Sequence, residues 1–109
     1  MEEILVGFSA SPGTFEGKPL LLSELLSKKP KKNEKFVIVA DFLTPLHTPY
    51  LSIAGAVVTE YGGMMAHSAI VCREMGIPCV TGAKGALEKL IVFKSVLVNG
   101  RTGKVYGQK

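Results

Sequence analysis

The sequence predicts an α/β domain built on mixed sheets, and three features carry that prediction. Phe36-Val37-Ile38-Val39-Ala40 is a continuous β-branched run of the kind that forms a strand buried on both faces, a parallel-sheet signal. The middle of the chain alternates strand-like with helix-like segments. Both ends hold short strand-like segments punctuated by glycine, which supply antiparallel, hairpin-like pairs.

Taken in order, Ile4 to Phe8 and Pro19 to Leu22 are predicted strands, separated by a turning segment that holds Gly7, Pro12, Gly13 and Gly17. Ser23 is placed to cap a short helix through Leu25 and Leu26, with Glu24 favoured in its first turn. A lysine-rich loop leads to the strand Phe36 to Ala40. Thr48 and Pro49 form an N-cap and first-position pair, so a short helix is expected from Pro49 to about Ala54, followed by the strand Ala56 to Thr59. Gly62-Gly63 breaks the chain. From Ala66 to Met75 the spacing of Ile70, Val71 and Met75 predicts a helix with one buried stripe, ended by Gly76 and Pro78. Cys79 to Thr81 is a third short strand and Ala86 to Leu90 a helical turn or two. Ser95 to Val98 and Lys104 to Tyr106 make a hairpin around Asn99-Gly100 and Gly103.

With 47% apolar and 20% charged residues, the composition is that of a globular protein, not of a disordered or collagen-like chain. A length of 109 residues fits a single domain spanning the chain, 1–109. No apolar run approaches the roughly 20 residues needed to cross a bilayer, and no leader pattern precedes Ile4. The expectation is a cytoplasmic protein with no membrane partner, in which Cys72 and Cys79 are reduced and pack in a helix and a strand. The net charge of +4 is mild, and much of it comes from Lys28, Lys29, Lys31, Lys32 and Lys35. That cluster is expected to be a solvated loop. No aromatic residues are interleaved with it as stacking platforms, which argues against a nucleic-acid partner.

The informative stretch runs from Thr59 to Pro78. A strand feeds the pair Gly62-Gly63, and a helix begins near His67. Free backbone N–H groups and the positive end of the helix dipole favour an anion there, so a phosphoryl group on the imidazole would be stabilised. The same field favours the neutral ring, whose lone pair is what attack on phosphorus requires. Gly62 and Gly63 allow close approach of a phosphate donor, and Ser68 is placed to bond a phosphoryl oxygen or to cap the helix. By spacing alone, a histidine that simply caps or packs at a helix start is an equal alternative. His67, Cys72 and Cys79 make no close ligand pair and lack a Cys-x-x-Cys spacing, so no metal site is expected. His47 has no companion at motif spacing and is expected to be a surface loop residue.

Gly62-Gly63-Met64-Met65-Ala66-His67-Ser68-Ala69-Ile70-Val71, with Arg73-Glu74-Met75-Gly76-Ile77-Pro78, resembles the phosphohistidine signature of a known family. This is the mobile domain of phosphoenolpyruvate-utilising enzymes, found in phosphoenolpyruvate synthase, pyruvate phosphate dikinase, Enzyme I of the sugar phosphotransferase system and rifampicin phosphotransferase. Ser11-Pro12-Gly13 and Gly17 resemble the family's opening turn, and Val98-Asn99-Gly100 with Gly103 and Val105 its closing hairpin. Many members carry threonine and then serine or cysteine before the histidine, where this chain has Met65 and Ala66, and many carry aspartate at Asn99. Loss of a hydroxyl at Met65 removes a hydrogen bond to phosphate or imidazole.

The resemblance implies a swivelling β/β/α domain with a small parallel sheet, a second antiparallel sheet and a helical layer. It also implies that His67 accepts phosphate at one site and delivers it at another. Gly62, Gly63 and Ser68 are then the phosphate-side loop positions, with Met65 and Arg73 as supporting positions. The chain is too short for a nucleotide-binding domain or a phosphoenolpyruvate-binding barrel, and it has no Walker-type glycine-lysine loop. It is therefore expected to work as a phosphotransferase component, the mobile domain standing alone with separate ATP-binding and phosphoenolpyruvate-binding proteins or domains. Magnesium and ATP or phosphoenolpyruvate would bind to those partners, and no cofactor to this chain. The alternative is a non-catalytic interaction or regulatory module that keeps the fold. The carrier reading requires His67 at a helix N-terminus with its imidazole accessible.

Overall fold

The computed structural model describes residues 1–25 and 34–108. Nine strands are described: β1 (Glu2–Val6), β2 (Phe8–Ser11), β3 (Thr14–Gly17), β4 (Pro19–Leu21), β5 (Phe36–Ala40), β6 (Ala54–Thr59), β7 (Cys79–Thr81), β8 (Ser95–Asn99) and β9 (Lys104–Gln108). The helices are α1 (Leu22–Leu25), α2 (His67–Met75) and α3 (Ala86–Lys89), with a 3-10 helix at Pro45–Ile53. Four strands form an antiparallel sheet in the order β1-β9-β8-β3. Five form a second sheet in the order β2-β7-β6-β5-β4, where β4 to β7 run parallel and β2 closes the edge antiparallel to β7.

The apolar runs of the parallel strands follow from the layering. Successive side chains on a strand point to opposite faces, so a strand with a layer on each side is apolar throughout. In β5, Ile38 and Ala40 join one buried cluster, while Val37 and Val39 join the other. β6 divides in the same way, with Val57 on one face and Ala56 and Val58 on the other, and so does β7, with Cys79 opposite Val80. The first cluster continues into Leu51, Ala69 and Cys72 of the helical layer; the second continues into Val96, Val98 and Val105 of the antiparallel sheet. The result is a β/β/α sandwich with the parallel strands in the middle. Each fully buried valine there contributes about 1.5–3 kcal/mol of burial free energy.

Several elements depart from expectation for identifiable reasons. The first predicted strand is two strands, because Gly7 separates β1 and β2 and sends them to different sheets. Thr14–Gly17, expected to be part of a turn, is β3, whose four residues pair with β8 from Thr14↔Asn99 to Gly17↔Val96. Ser23 lies inside α1, which begins at Leu22. The helix expected from Pro49 is a 3-10 helix that begins at Pro45 with Thr44 at its N-cap, so Pro49 falls in its interior and Thr48 does not cap. In α2 the buried stripe is Ser68, Ala69 and Cys72, whereas Ile70 and Met75 are exposed and Val71 is half-buried. Small side chains let α2 lie close against β2 and β7, and that selects the face. Gly76 ends α2 in the left-handed region at φ 71°. The lysine loop lies outside the described residues except Lys35, whose ammonium donates to the Ser52 carbonyl at 2.6 Å.

Candidate phosphoryl-acceptor site

The site lies where β6 gives way to α2, beyond the carboxyl ends of the parallel strands. Backbone bonds from Glu60 N–H to Ala40 O (3.0 Å) and from Tyr61 N–H to Asp41 O (2.9 Å) carry the end of β6 alongside the end of β5. The glycine loop that follows is held through its carbonyls. The Thr59 hydroxyl donates to Tyr61 O at 2.9 Å, and the Thr81 hydroxyl donates to Gly63 O at 3.1 Å. Both threonines are fully buried, so these bonds anchor the loop to the floor of the sheet. Arg73 adds a third anchor, donating from its guanidinium to Met64 O and from Nε to Ala10 O at 2.7 Å. Three side chains thus satisfy the loop carbonyls of Tyr61, Gly63 and Met64.

The two glycines do different things. Gly62 sits at φ 117°, a conformation L-residues rarely adopt, and a Cβ there would lie 3.0 Å from Ala66 Cβ. At Gly63 a Cβ would meet nothing within 4 Å, so that position faces open space. The loop then turns up through Met65, which is 78% exposed, to His67.

His67 is the first residue of α2 and is half-buried. Ala66 is the N-cap, and no side chain caps the helix. The first N–H groups of α2 therefore stand at the positive end of the helix dipole without a side-chain acceptor. Nε2 of His67 lies 3.5 Å from the Thr48 hydroxyl, which arrives from the 3-10 helix. A hydroxyl can donate or accept, so this contact suits either neutral tautomer of the ring. Nδ1 has no partner among the described residues.

Of the positions singled out in the sequence, Gly62, Gly63, Met65 and His67 share one loop and helix start. Ser68 turns the other way. It is 2% exposed on the buried face of α2, so its hydroxyl is not presented beside the imidazole. Arg73 is exposed, but its donors are engaged on Met64 O and Ala10 O, making it an anchor of the loop. Thr48 is the site residue that sequence reasoning missed. It stands nineteen positions from His67, and its Thr-Pro pair signalled a cap instead.

Cys72 and Cys79 are free, fully buried thiols on α2 and β7. The neighbouring Cys72 thiol and burial together push the Cys79 thiol well above its ordinary value. At Asn99, the side-chain oxygen accepts from Arg101 N–H at 3.0 Å and Thr102 N–H at 3.2 Å, an acceptor role that an aspartate would fill equally. Among the described residues, no three His, Cys, Asp or Glu side chains cluster to hold a metal ion, and no helix is long and apolar enough to cross a membrane.

Comparison with known proteins places these observations in a family. Residues 32–103 match the family described as PEP-utilising enzyme, mobile domain. The chain is 45% identical over 107 residues to phosphoenolpyruvate synthase of Aeropyrum pernix, covering 95% of this chain and 13% of that enzyme. It is 41% identical over 105 residues to phosphoenolpyruvate synthase of Pyrococcus furiosus, again covering 13% of the relative's length. Among solved structures, the N-terminal domain of Enzyme 1-Nitrogen superposes with a TM-score of 0.74 over 96% of this chain and 94% of that one; at 14% identity this shows a shared fold. An Enzyme I structure matches at a TM-score of 0.60 and 30% identity over 69% of this chain and 31% of that one. With the family match spanning most of the sequence and the β/β/α sandwich in place, this chain belongs to the mobile-domain family of phosphoenolpyruvate-utilising enzymes.

Proposed function

We propose that the chain is a phosphoryl carrier whose phosphate is held on His67. The observation that carries this reading is the position of His67: only partly buried, on the first residue of an uncapped helix, beside a loop whose carbonyls are tied down. A neutral ring nitrogen attacks the phosphorus of a donor; an N–P bond forms, the donor's P–O bond breaks, and the leaving oxygen keeps the electron pair. The reverse displacement by an acceptor oxygen returns the free imidazole. The Thr48 hydroxyl orients the ring. The first N–H groups of α2, including that of Ser68, face the phosphoryl oxygens, so Ser68 serves through its backbone. Gly63 leaves room for the donor, while Thr59, Thr81 and Arg73 keep the loop from collapsing into that space.

The donor and acceptor are ATP-binding and phosphoenolpyruvate-binding domains, on this polypeptide or on others, because the chain spans 13% of the length of its phosphoenolpyruvate synthase relatives. Magnesium would bind to those domains. Exposed Tyr61, Met64 and Met65 on the loop, with Leu46 and Tyr50 flanking Thr48, give His67 an apolar surround suited to docking against such domains. Two free thiols in the core agree with work in the reducing cytoplasm. A non-catalytic module is the second reading, favoured by the absence of a hydroxyl at Met65.

Incubation with labelled phosphoenolpyruvate and the phosphoenolpyruvate-binding portion of a phosphoenolpyruvate synthase tests the proposal. The chain should take up label, His67→Ala should take up none, and Ser68→Ala and Cys72→Ala should retain it. Full labelling of His67→Ala would overturn the carrier role, and no labelling of the unaltered chain by donors that phosphorylate a relative would favour the second reading.

A further inference from the structure

The 3-10 helix directs two consecutive side chains to different places. Thr48 reaches His67, whereas His47 lines a separate cleft of about 270 Å³ beyond the carboxyl ends of β4 and β5. The phosphoryl-carrier reading makes no use of the cleft. Its floor is apolar, formed in part by Leu21, Val39 and Leu87, and its polar groups are Ser23, Asp41 and His47.

Each polar group has a defined role available to a ligand. Asp41 Oδ1 accepts from Phe42 N–H at 2.8 Å, which fixes the carboxylate and leaves Oδ2 without a partner among the described residues. His47 Nδ1 accepts from Thr44 N–H at 3.2 Å and lies 3.4 Å from the Thr44 hydroxyl. The ring proton of neutral His47 is therefore on Nε2, a donor with no partner among the described residues. Ser23 is exposed at the rim and adds a hydroxyl. An anionic acceptor, one oriented ring N–H and a rim hydroxyl thus stand over an apolar floor, an arrangement of few polar groups on an apolar lining that is typical of small-molecule sites. The volume falls below the ~300–1,000 Å³ of pockets for drug-sized ligands, so the occupant is small.

We propose that this cleft binds an aliphatic α-amino acid. Its ammonium pairs with Asp41, its carboxylate accepts from His47 Nε2–H and the Ser23 hydroxyl, and its side chain lies on Leu21 and Leu87. A ligand with only one of the two charges leaves half of the polar set unmet.

The test is a ¹H–¹⁵N correlation titration of the whole chain with L-leucine at millimolar concentrations. Saturable shifts are expected at residues 21–23, 41, 47 and 87. Asp41→Asn and His47→Gln should each weaken binding about tenfold or more, as loss of a charge-assisted hydrogen bond requires. Isopentylamine and isovalerate, which each carry one charge, should bind more weakly than leucine. Ser23→Phe, which fills the rim while leaving the Thr44–His47 contact intact, should abolish the shifts and decides the matter if either polar variant fails to fold. The absence of saturable shifts, shifts centred elsewhere, or leucine binding unchanged in Ser23→Phe would each overturn the proposal.

Discussion

Gly62→Ala and Gly63→Ala look equivalent in sequence and should behave in opposite ways. Gly62 sits at φ 117°, and alanine there must either accept a strained backbone or move the loop. Strain of that kind costs about 1–3 kcal/mol, and the new methyl would also press on Ala66 Cβ at 3.0 Å. In a domain near this size, each kcal/mol corresponds to roughly 4–8 °C in Tm, so Gly62→Ala should lower the midpoint by at least several degrees. Gly63 is not among the positive-φ glycines, and a methyl there meets nothing within 4 Å. Restricting the unfolded chain alone gives alanine a gain of ~0.4–1 kcal/mol, so Gly63→Ala should be as stable as the unaltered chain or slightly more so. Thermal unfolding followed by circular dichroism reads both. A drop in Gly63→Ala equal to that in Gly62→Ala, or no drop in Gly62→Ala, would refute the division of labour. Labelling adds a second readout: if donor access depends on the space at Gly63, then Gly63→Ala should accept phosphate more slowly without losing stability.

Thr48→Val should slow phosphorylation of His67 by up to about tenfold, the equivalent of losing a neutral hydrogen bond of ~0.5–1.5 kcal/mol, while Thr48→Ser stays near the unaltered rate; equal rates in all three would remove Thr48 from the site. Ellman's reagent should find no reactive thiol in the native chain and both in denaturant, because Cys72 and Cys79 are fully buried; rapid native reaction would contradict their packing. Asn99→Asp should leave stability unchanged, since Oδ1 is the atom that holds the turn, whereas Asn99→Ala should cost about 1 kcal/mol by urea unfolding. Equal losses in the two Asn99 variants would show that the amide nitrogen matters.

The parallel strands were legible because their chemistry is unconditional: a run such as Phe36 to Ala40 has no stable home except between two apolar layers. The end of α2 was legible for a similar local reason, with Gly76 in the left-handed cap and Pro78 beyond it. β3 was not legible, because Thr-Phe-Glu-Gly alternates over four residues only, between glycines that signal a turn, and becomes a strand only through β8. The buried stripe of α2 was misread because apolar periodicity favoured Ile70 and Met75, whereas tight packing against β2 and β7 rewards the small residues Ser68, Ala69 and Cys72. The site divides along the same line. His67 and its glycines are contiguous and stood out, as did Arg73, though its donors go to loop carbonyls. Thr48, Thr59 and Thr81 come from other elements, and only the fold brings them to the loop.

A phosphoryl carrier of this kind holds its phosphate on a ring nitrogen of His67, and locating that phosphate is the decisive experiment. The chain would be phosphorylated by its donor domain, digested at neutral to alkaline pH and sequenced by tandem mass spectrometry, with a parallel sample exposed to acid. A single phosphate is expected on the peptide containing His67, assigned to the imidazole and lost in acid, as a phosphoramidate must be. Phosphate on Ser68 or Thr48, or a modification that survives acid, would contradict the carrier role of His67.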